Sequence, residues 1–291
     1  MVVRMCKRTK KWLSKPLCCG ILAILMFCLL VLARCQPRHD QVRSTAAIAA
    51  GQTVPVLMYH HLLPRDTNSP LKTNDIVTYT EDFAAQLRWL RENGYHTITV
   101  DELEAFLYEG AVLPEHPVML TFDDGYMSNY VYAAPLLREY GFTAVIFTIT
   151  SQIAQEGSAA AADQAIPQTK DMMEASQDVF TYASHTDNLH TAVGSGRSAL
   201  TEADKTTAAA DLHRSLDTLA GISGSTSRVF AYPYGFYNDP VKAMLRENGV
   251  RMAFRATAGR LTRDTDPYAL PRIAVSYKVD IDKFAELLSD S

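Results

Sequence analysis

Two short polar runs, about sixty residues apart, contain the residue types that could do chemistry. The first is Thr-Phe-Asp-Asp-Gly-Tyr at residues 121–126, and the second is Ser-His-Thr-Asp-Asn-Leu-His at residues 184–190. One carboxylate and two imidazoles are a sufficient protein shell for a catalytic divalent metal that keeps a position open for water. The second carboxylate of the Asp-Asp pair is then free to act as a base. The two runs therefore predict a metal-assisted hydrolase.

The spacing within each run bears on this prediction. Adjacent Asp123 and Asp124 repel each other, and a cation would relieve that repulsion by neutralising one of them. Gly125 permits the sharp turn that would aim both carboxylates inward. The offset of five between His185 and His190 differs from the i, i+4 spacing of a helical zinc pair, so a loop must carry them. An ordinary Asp-Gly turn and two surface histidines are the alternative interpretation.

Two further short motifs could supply polar groups to the same site. His60 and His61 follow an apolar run, and either imidazole could act as a general acid because it titrates near neutral pH. The strand ends there, so side-chain alternation does not decide between them. The turn at residues 231–235 (Ala-Tyr-Pro-Tyr-Gly) could present a backbone N–H to an oxyanion, with a plain aromatic turn as the alternative.

From residue 54 onward, apolar runs typical of strands alternate with helical patterns. Strands are predicted at residues 54–59, 95–100, 117–122, 143–149, 179–183, 228–231, 251–255 and 273–275. Helices are predicted at residues 81–93, 101–108, 129–140, 171–175, 201–219, 240–248 and 281–288, the fifth of them opened by a capping box of Thr201 and Asp204. About seven such units predict parallel strands in a distorted (β/α)7–8 barrel. In such barrels the chemistry lies at the C-terminal strand ends, where the polar motifs fall.

The 291-residue chain is 47% hydrophobic, and its charge is unevenly distributed. Residues 1–43 carry a net charge of +8, and the remaining 248 residues carry −12. An acidic body opposes the approach of a polyanion, which argues against a nucleic-acid partner. All five cysteines precede residue 36, so the body uses no disulfides.

The N-terminal region predicts a membrane anchor. Residues 1–15 read as a basic cytoplasmic segment and residues 16–34 as an uncharged transmembrane signal anchor, followed by a linker at 35–52 and a single catalytic domain at 53–291. The excess of cations before the apolar run places the N-terminus in the cytoplasm and the catalytic domain outside the cell membrane. The alternative is a cleaved signal peptide and a secreted protein.

Taken together, the motifs resemble the polysaccharide deacetylases, the family 4 carbohydrate esterases, over roughly residues 54–288. Residues 121–125 match the first motif of the family in full, residues 184–186 match the start of the second, and residues 232–235 match the core of the third. The openings at residues 55–61 and 87–95 look most like the branch that includes exported poly-N-acetylglucosamine deacetylases.

The resemblance implies a role for each matching residue. The metal ligands would be Asp124, His185 and His190. Asp123 would be the general base, and the backbone N–H of Tyr234 would bind the oxyanion. In this branch the general acid comes from the N-terminal strand, which implies His60. The metal is expected to be Zn²⁺, with Co²⁺, Ni²⁺ or Mn²⁺ as alternatives.

The chain departs from the family pattern in three places. Ala231 stands near the position of the arginine that opens the third motif, and Arg272 is our candidate for orienting Asp123 in its place. The tryptophan of the fourth motif is missing. The late Leu-x-His motif is missing as well, which is tolerable only if His60 substitutes for that histidine. Candidate sugar-stacking side chains, for which packing is an equal alternative, are Tyr126, Phe236 and Tyr237.

The expected reaction is removal of acetyl groups from N-acetylated sugars of an extracellular or cell-wall polysaccharide. Peptidoglycan, poly-N-acetylglucosamine and a chitin-like oligomer all fit the sequence. Besides this substrate, the membrane is the expected partner, and neither a nucleic acid nor a protein partner is inferred. A catalytically inactive carbohydrate-binding protein is the first alternative. A metal-independent glycosidase is the second, although adjacent aspartates cannot easily flank one sugar.

Overall fold

Parallel strands form the scaffold of the molecule. The computed structural model describes residues 51–155, 164–224 and 227–289. The predicted cytoplasmic segment, the predicted anchor at 16–34 and the linker up to residue 50 lie outside these described residues. Within the described ranges, no helix combines the length and the apolar character that crossing a bilayer requires.

Strands and helices alternate along most of the described chain, as the sequence pattern predicts. The strands are β1 (Val54–Tyr59), β2 (His61–Leu63), β3 (Val77–Tyr79), β4 (His96–Thr97), β5 (Pro117–Asp124), β6 (Ala144–Thr148), β7 (Phe180–Ser184), β8 (Ala192–Gly194), β9 (Arg197–Ser198), β10 (Val229–Ala231), β11 (Met252–Phe254), β12 (Arg260–Leu261) and β13 (Ile273–Ala274). The α-helices are α1 (Thr80–Glu92), α2 (Val100–Tyr108), α3 (Ala134–Tyr140), α4 (Lys170–Glu174), α5 (Ala199–Glu202), α6 (Lys205–Ser223), α7 (Asp239–Glu247) and α8 (Ile281–Leu288).

The main sheet has the strand order β11-β10-β7-β6-β5-β1-β12, with β13 also beside β1 and β4 beside β5. The ladders are parallel except the one between β1 and β12. An isolated bridge between Phe254 and Leu270 joins the end of β11 to the segment that leads into β13. The sheet therefore curls back towards its own first strand, which is consistent with a barrel of seven strand–helix units.

Side-chain alternation along β5 sorts residues between two apolar clusters. Leu120 and Phe122 are fully buried in the cluster that includes Phe83 of α1 and Phe284 of α8. Met119 packs in the other cluster, with side chains from the neighbouring strands. Each fully buried phenylalanine stabilises the fold by about 1.5–3 kcal/mol. Helices α1 and α8 thus pack against the face that carries Leu120 and Phe122, whereas Met119 lies in the cluster that also contains Leu103 and Phe106 of α2.

Strand β5 extends two residues beyond its predicted end at Phe122. Asp123 and Asp124 are still paired with Phe147 and Thr148 of β6. The prediction was wrong because carboxylates are uncommon in strand interiors, whereas the partner strand here continues far enough to keep the ladder going. The two aspartates consequently belong to the end of a strand and not to the loop after it.

Two other predicted boundaries were wrong because side chains cap helices. The strand predicted at residues 95–100 shrinks to β4, since the Thr99 hydroxyl accepts a bond from the Glu102 N–H and the Glu102 carboxylate accepts one from the Thr99 N–H. This capping box starts α2 at Val100. The helix predicted at residues 201–219 is two helices, α5 and α6. Asp204 caps α6 by accepting a bond from the Thr207 N–H.

Candidate active site

Four strand ends on one rim of the sheet carry the polar side chains that the sequence singled out. His60 follows β1, Asp123 and Asp124 end β5, and His185 follows β7. The turn that contains Tyr234 follows β10. Because the strands are parallel, their C-terminal ends meet at the same rim, as the barrel prediction required.

Asp124, His185 and His190 converge on one point. The Nε2 atoms of the two histidines are 3.1 Å apart. Asp124 Oδ1 lies 3.7 Å from His185 Nε2 and 3.5 Å from His190 Nε2. Ligands of a tetrahedral zinc ion with bonds of 2.0–2.2 Å are separated by about 3.4 Å. In the described part of the chain this trio is the group of acid, histidine or cysteine side chains with the spacing of a metal site.

The hydrogen bonding of His185 suits it to bind a cation. Its Nδ1–H donates to the Ala231 carbonyl, 2.8 Å away, and this bond leaves the lone pair of Nε2 facing Asp124 and His190. Only 2% of His185 is exposed, so this orientation is held by packing. Two neutral imidazoles whose Nε2 atoms face each other repel unless a proton or cation lies between them. The donor set therefore fits a divalent metal.

His190 is held in its neutral, ligand-competent form. Burial, with a smaller contribution from the His185 imidazole, lowers the pKa of His190 to about 4. The Tyr234 ring packs against the His190 ring with centroids 4.7 Å apart. This contact restricts the rotation of the imidazole, so the side chain stays directed at Asp124.

Asp123 is tied to Arg272, which lies 149 residues further along the chain. The Arg272 Nη1–H and Nη2–H groups donate to the two carboxylate oxygens at 2.6 and 2.7 Å. Arg272 is fully buried, and its Nε–H donates to the Arg255 carbonyl at 3.1 Å. Burial, the largest single influence, opposes ionisation of Asp123, but the charge and hydrogen bonds of Arg272, together with the nearby His185 and His60, outweigh it and hold the Asp123 pKa well below its usual range. The structure thus brings Arg272 to the position that our sequence analysis proposed.

We expect Arg272→Met to lower the free energy of unfolding at pH 7 by about 3–5 kcal/mol, because it leaves a buried carboxylate without its partner. The contribution of Asp123 to stability also changes its pH dependence in the variant. In the wild type the Asp123 pKa is depressed, so its stabilisation exists above the unfolded value of about 3.9 and disappears as the pH falls through the lower folded value. In the variant burial raises the pKa of Asp123, so the destabilisation shrinks as the pH falls from 7 towards 4.

Urea unfolding of the chelator-treated protein at pH 7 and pH 4.5 measures this effect. Arg138→Met is the matched control, since Arg138 also forms a bidentate ion pair, with Asp178, but on an exposed surface. It should change stability by less than about 1 kcal/mol. An Arg272→Met deficit that is equal at both pH values would contradict the assigned charge of Asp123.

The structure distinguishes His60 from His61. His60 Nε2 lies 3.9 Å from Asp123 Oδ2, and the side chain is partly exposed at the rim. His61 is fully buried, with its Nδ1 2.7 Å from Ser128 Oγ and its ring packed on Tyr126. Of the two imidazoles, His60 is therefore the one that can reach both a reacting group and Asp123.

Sequence reasoning missed Ser128 and Asn129, which hold the backbone around His60. The Asn129 Nδ2–H donates to the His60 carbonyl at 2.7 Å, and Ser128 Oγ accepts from the Leu62 N–H at 3.1 Å. Asn129 begins a π-helical turn, a feature that is frequent at functional sites. Two small polar residues just after the Asp-Asp-Gly run were the only sequence signal for this contact.

The backbone of the site adopts conformations that side chains disfavour. In the described residues four non-glycine residues have a positive φ, and three of them are Asp124 (70°), Thr186 (77°) and Tyr234 (57°). Such strain is concentrated at functional sites. Gly235, with φ 74°, follows Tyr234, and a Cβ there would lie 2.5 Å from the Ala256 nitrogen. Only glycine allows this turn to approach the neighbouring backbone so closely.

The three predicted sugar-stacking residues differ in their surroundings. Tyr237 is 39% exposed, and its ring stacks on Tyr232 at 5.0 Å. Phe236 is partly buried and lies 6.0 Å from the Tyr234 ring, centroid to centroid. Tyr126 is mostly buried, and its hydroxyl interacts with the Asp124 carboxylate. Burial, with a smaller contribution from Asp124, raises the pKa of Tyr126. Tyr237 and Phe236 can therefore contact a ligand, whereas Tyr126 supports a predicted metal ligand.

One of the two alternative functions, the glycosidase, can be compared with this geometry. A metal-independent glycosidase needs two free carboxylates on opposite sides of a sugar. Here Arg272 holds Asp123 at 2.6 Å, and Asp124 lies within 3.7 Å of both histidines. The site therefore lacks the pair of free carboxylates that this alternative requires.

Comparison with known proteins identifies a domain in this chain. Residues 111–253 match the family model described as polysaccharide deacetylase. The chain contains a polysaccharide deacetylase domain. The part of the deacetylase domain covered by this match includes Asp123, Asp124, His185, His190 and Tyr234. His60 and Arg272 lie outside it, so their roles depend on the geometry described above.

Known relatives of the deacetylase domain agree with this assignment. The poly-beta-1,6-N-acetyl-D-glucosamine N-deacetylase of Staphylococcus epidermidis is 28% identical over 196 residues, which are 67% of this chain and 67% of the relative. The structure of IcaB from Ammonifex degensii aligns with a TM-score of 0.68 and 26% identity, over 82% of this chain and 96% of that one. The structure of the Streptococcus pyogenes deacetylase PplD, in complex with acetate, aligns with a TM-score of 0.71 and 23% identity, over 82% of this chain and 99% of that one. This similarity supports the fold alone.

Proposed function

We propose that this protein removes acetyl groups from the N-acetylated sugars of an extracellular or cell-wall polysaccharide in a metal-assisted hydrolysis. The observation that carries the proposal is the convergence of the ligand atoms of Asp124, His185 and His190, which lie within 3.7 Å of one another, at the strand end that also carries Asp123. Poly-N-acetylglucosamine is the first substrate to test, because the S. epidermidis relative is named for that polymer.

The residues around the reacting amide would divide the work as follows. Asp123 Oδ2 and His60 Nε2 lie 3.9 Å apart, so both groups can contact one amide bound at this rim. Asp123 would deprotonate the attacking water, and His60 would protonate the leaving nitrogen. The C–N bond breaks, the oxygen of water joins the acetyl carbon, and the sugar nitrogen leaves as an amine with the proton from His60. The backbone N–H of Tyr234 would donate to the oxyanion.

The contact with Arg272 limits how basic Asp123 can be in this reaction. Because it depresses the pKa of Asp123, it makes the carboxylate a weak base. A divalent cation held by Asp124, His185 and His190 would lower the pKa of the attacking water, so that a weak base can deprotonate it. The cation would also polarise the acyl oxygen. We therefore infer metal dependence, with Zn²⁺ as the first choice and Co²⁺, Ni²⁺ or Mn²⁺ as alternatives.

The proposed location of the protein rests on the sequence alone. We propose that residues 16–34 anchor it in the cell membrane with the N-terminus in the cytoplasm and the deacetylase domain outside, or that the apolar segment is cleaved and the protein is secreted. The substrate class supports export, because peptidoglycan and secreted polysaccharides lie outside the membrane.

Release of acetate tests the proposed activity. The chelator-treated full chain, reloaded with each of the four cations in turn, would be incubated with poly-N-acetylglucosamine, peptidoglycan and chitin oligomers. We expect metal-dependent acetate release from at least one polymer. A correctly folded, metal-loaded protein that binds a polymer but releases no acetate from any of the three would indicate the inactive carbohydrate-binding alternative.

A further inference from the structure

The loop between His185 and His190 determines whether these two side chains can share one cation. This inference rests on the metal site of the proposed function. The loop leaves β7 at Ser184, and Thr186 has a φ of 77°, a strained conformation that the surroundings must maintain. The ligands are five residues apart on irregular backbone, so no helix or strand fixes the distance between their Nε2 atoms.

A buried carboxylate on the neighbouring helix holds this loop. Asp211 lies on α6, and only 1% of it is exposed. Its Oδ1 accepts the Asp187 N–H and its Oδ2 accepts the Asn188 N–H, both at 2.8 Å. One carboxylate thus binds two consecutive backbone donors midway between the two histidines. Hydrogen bonds from N–H groups to a charged carboxylate are about twice as strong as neutral ones.

The Asp187 side chain extends the same network away from the metal site. The Arg214 Nε–H donates to Asp187 Oδ2 at 3.0 Å, and the Arg214 Nη2–H donates to Asp211 Oδ2 at 3.4 Å. The Thr150 hydroxyl donates to Asp187 Oδ1 at 2.8 Å. Both carboxylate oxygens of Asp187 are therefore engaged by other side chains, and its role is to tie the loop to α6 and to the turn after β6.

We propose that Asp211 is a positioning residue for the metal site, which sets the separation of His185 and His190 through the backbone of Asp187 and Asn188. Asp211→Asn would replace one acceptor oxygen with an NH₂ group that faces a backbone N–H. The loop would have to move to separate these two donors, and the histidine ligands at its ends would move with it. Loss of a group that orients metal ligands typically costs 10–100-fold in metal affinity, and we expect a weakening of about that size.

A test must separate positioning from general stabilisation. Asp204→Ala is the matched control, because Asp204 caps the same helix and has no contact with the loop among its described hydrogen bonds. It removes a helix cap and should lower the unfolding temperature of the metal-free protein. It should nevertheless leave metal affinity within about twofold of the wild type, because the hydrogen bonds from the loop to Asp211 remain intact.

The measurement uses the full chain with Zn²⁺ alone. Affinity is obtained by competition with a chromophoric chelator, and the rise in unfolding temperature on addition of Zn²⁺ is recorded in parallel. A His190→Ala protein gives the background of cation bound elsewhere, including at the five N-terminal cysteines. We expect Asp211→Asn to weaken specific binding about 10–100-fold and to reduce the Zn²⁺-induced rise, whereas Asp204→Ala keeps that rise.

The outcomes separate this inference from the function on which it rests. If the wild type binds no more Zn²⁺ than His190→Ala, the metal site and the role of Asp211 are both overturned. If the wild type binds specifically and Asp211→Asn binds equally well, only the role of Asp211 is overturned. Should Asp211→Asn not fold, Arg214→Gln takes its place, with a smaller loss of Zn²⁺ affinity expected in the same direction and unchanged affinity counting against the proposal.

Discussion

Asp123→Asn is expected to reduce acetate release roughly 10³-fold, the range that a general base contributes, while Zn²⁺ affinity stays within a few fold of the wild type. The asparagine keeps the size of the side chain but cannot accept a proton at Oδ2, the atom 3.9 Å from His60 Nε2. The three predicted metal ligands are unchanged by this substitution. Initial rates of acetate release and chelator competition on the same protein samples measure the two quantities.

The control for this substitution is Asp178→Asn. Asp178 binds Arg138 through both carboxylate oxygens, as Asp123 binds Arg272, but on an exposed surface. It should leave acetate release within twofold of the wild type. Wild-type turnover in Asp123→Asn would exclude Asp123 as the base. Loss of Zn²⁺ from an Asp123→Asn protein that is still folded would instead make this residue a metal ligand.

The second large effect is expected for His190→Ala, which should lose both bound Zn²⁺ and acetate release. His190 Nε2 is one of the three atoms that define the site, and the remaining Asp124 and His185 make an incomplete shell. The loss of affinity should exceed the roughly 10–100-fold that removal of a ligand's supporting partner costs. Zinc content per chain after dialysis, measured by elemental mass spectrometry, gives the result directly.

His213→Ala removes an imidazole from the exposed surface of α6 and serves as the matched control. Its zinc content and acetate release should equal those of the wild type. If His190→Ala retained one specifically bound Zn²⁺ with unchanged affinity, the proposed ligand set would be wrong. If it lost Zn²⁺ but kept full acetate release, the reaction would not depend on this cation.

The fold could be predicted from the sequence wherever the pattern of apolar residues alone determined an element. The apolar run of β1 has the bounds that were predicted, and the strand–helix alternation indicated a barrel because parallel strands need helical connections. Boundaries failed where a side chain intervened. The Thr99 capping box ended a predicted strand early, and Asp204 split a predicted helix. These bonds depend on geometry that periodicity does not report.

The candidate site could be predicted in its residue types but not in all of its contacts. Residue types and their order placed Asp124, His185 and His190 at strand ends, and parallel strands bring such ends to one rim. Asp211 gave no comparable signal, because an aspartate on a helix is usually solvated and only its packing against the loop makes it unusual.

The sequence by itself determined the ligand-capable side chains, the strand ends that carry them and the likeness to a deacetylase. The tertiary structure alone decided that His60 rather than His61 faces Asp123, and that Arg272 holds Asp123. The physical reason is that both outcomes depend on contacts between distant parts of the chain. Ser128, 67 residues further along, holds His61 in the interior, and Arg272 meets Asp123 across 149 residues, and neither residue spacing nor side-chain alternation encodes such contacts.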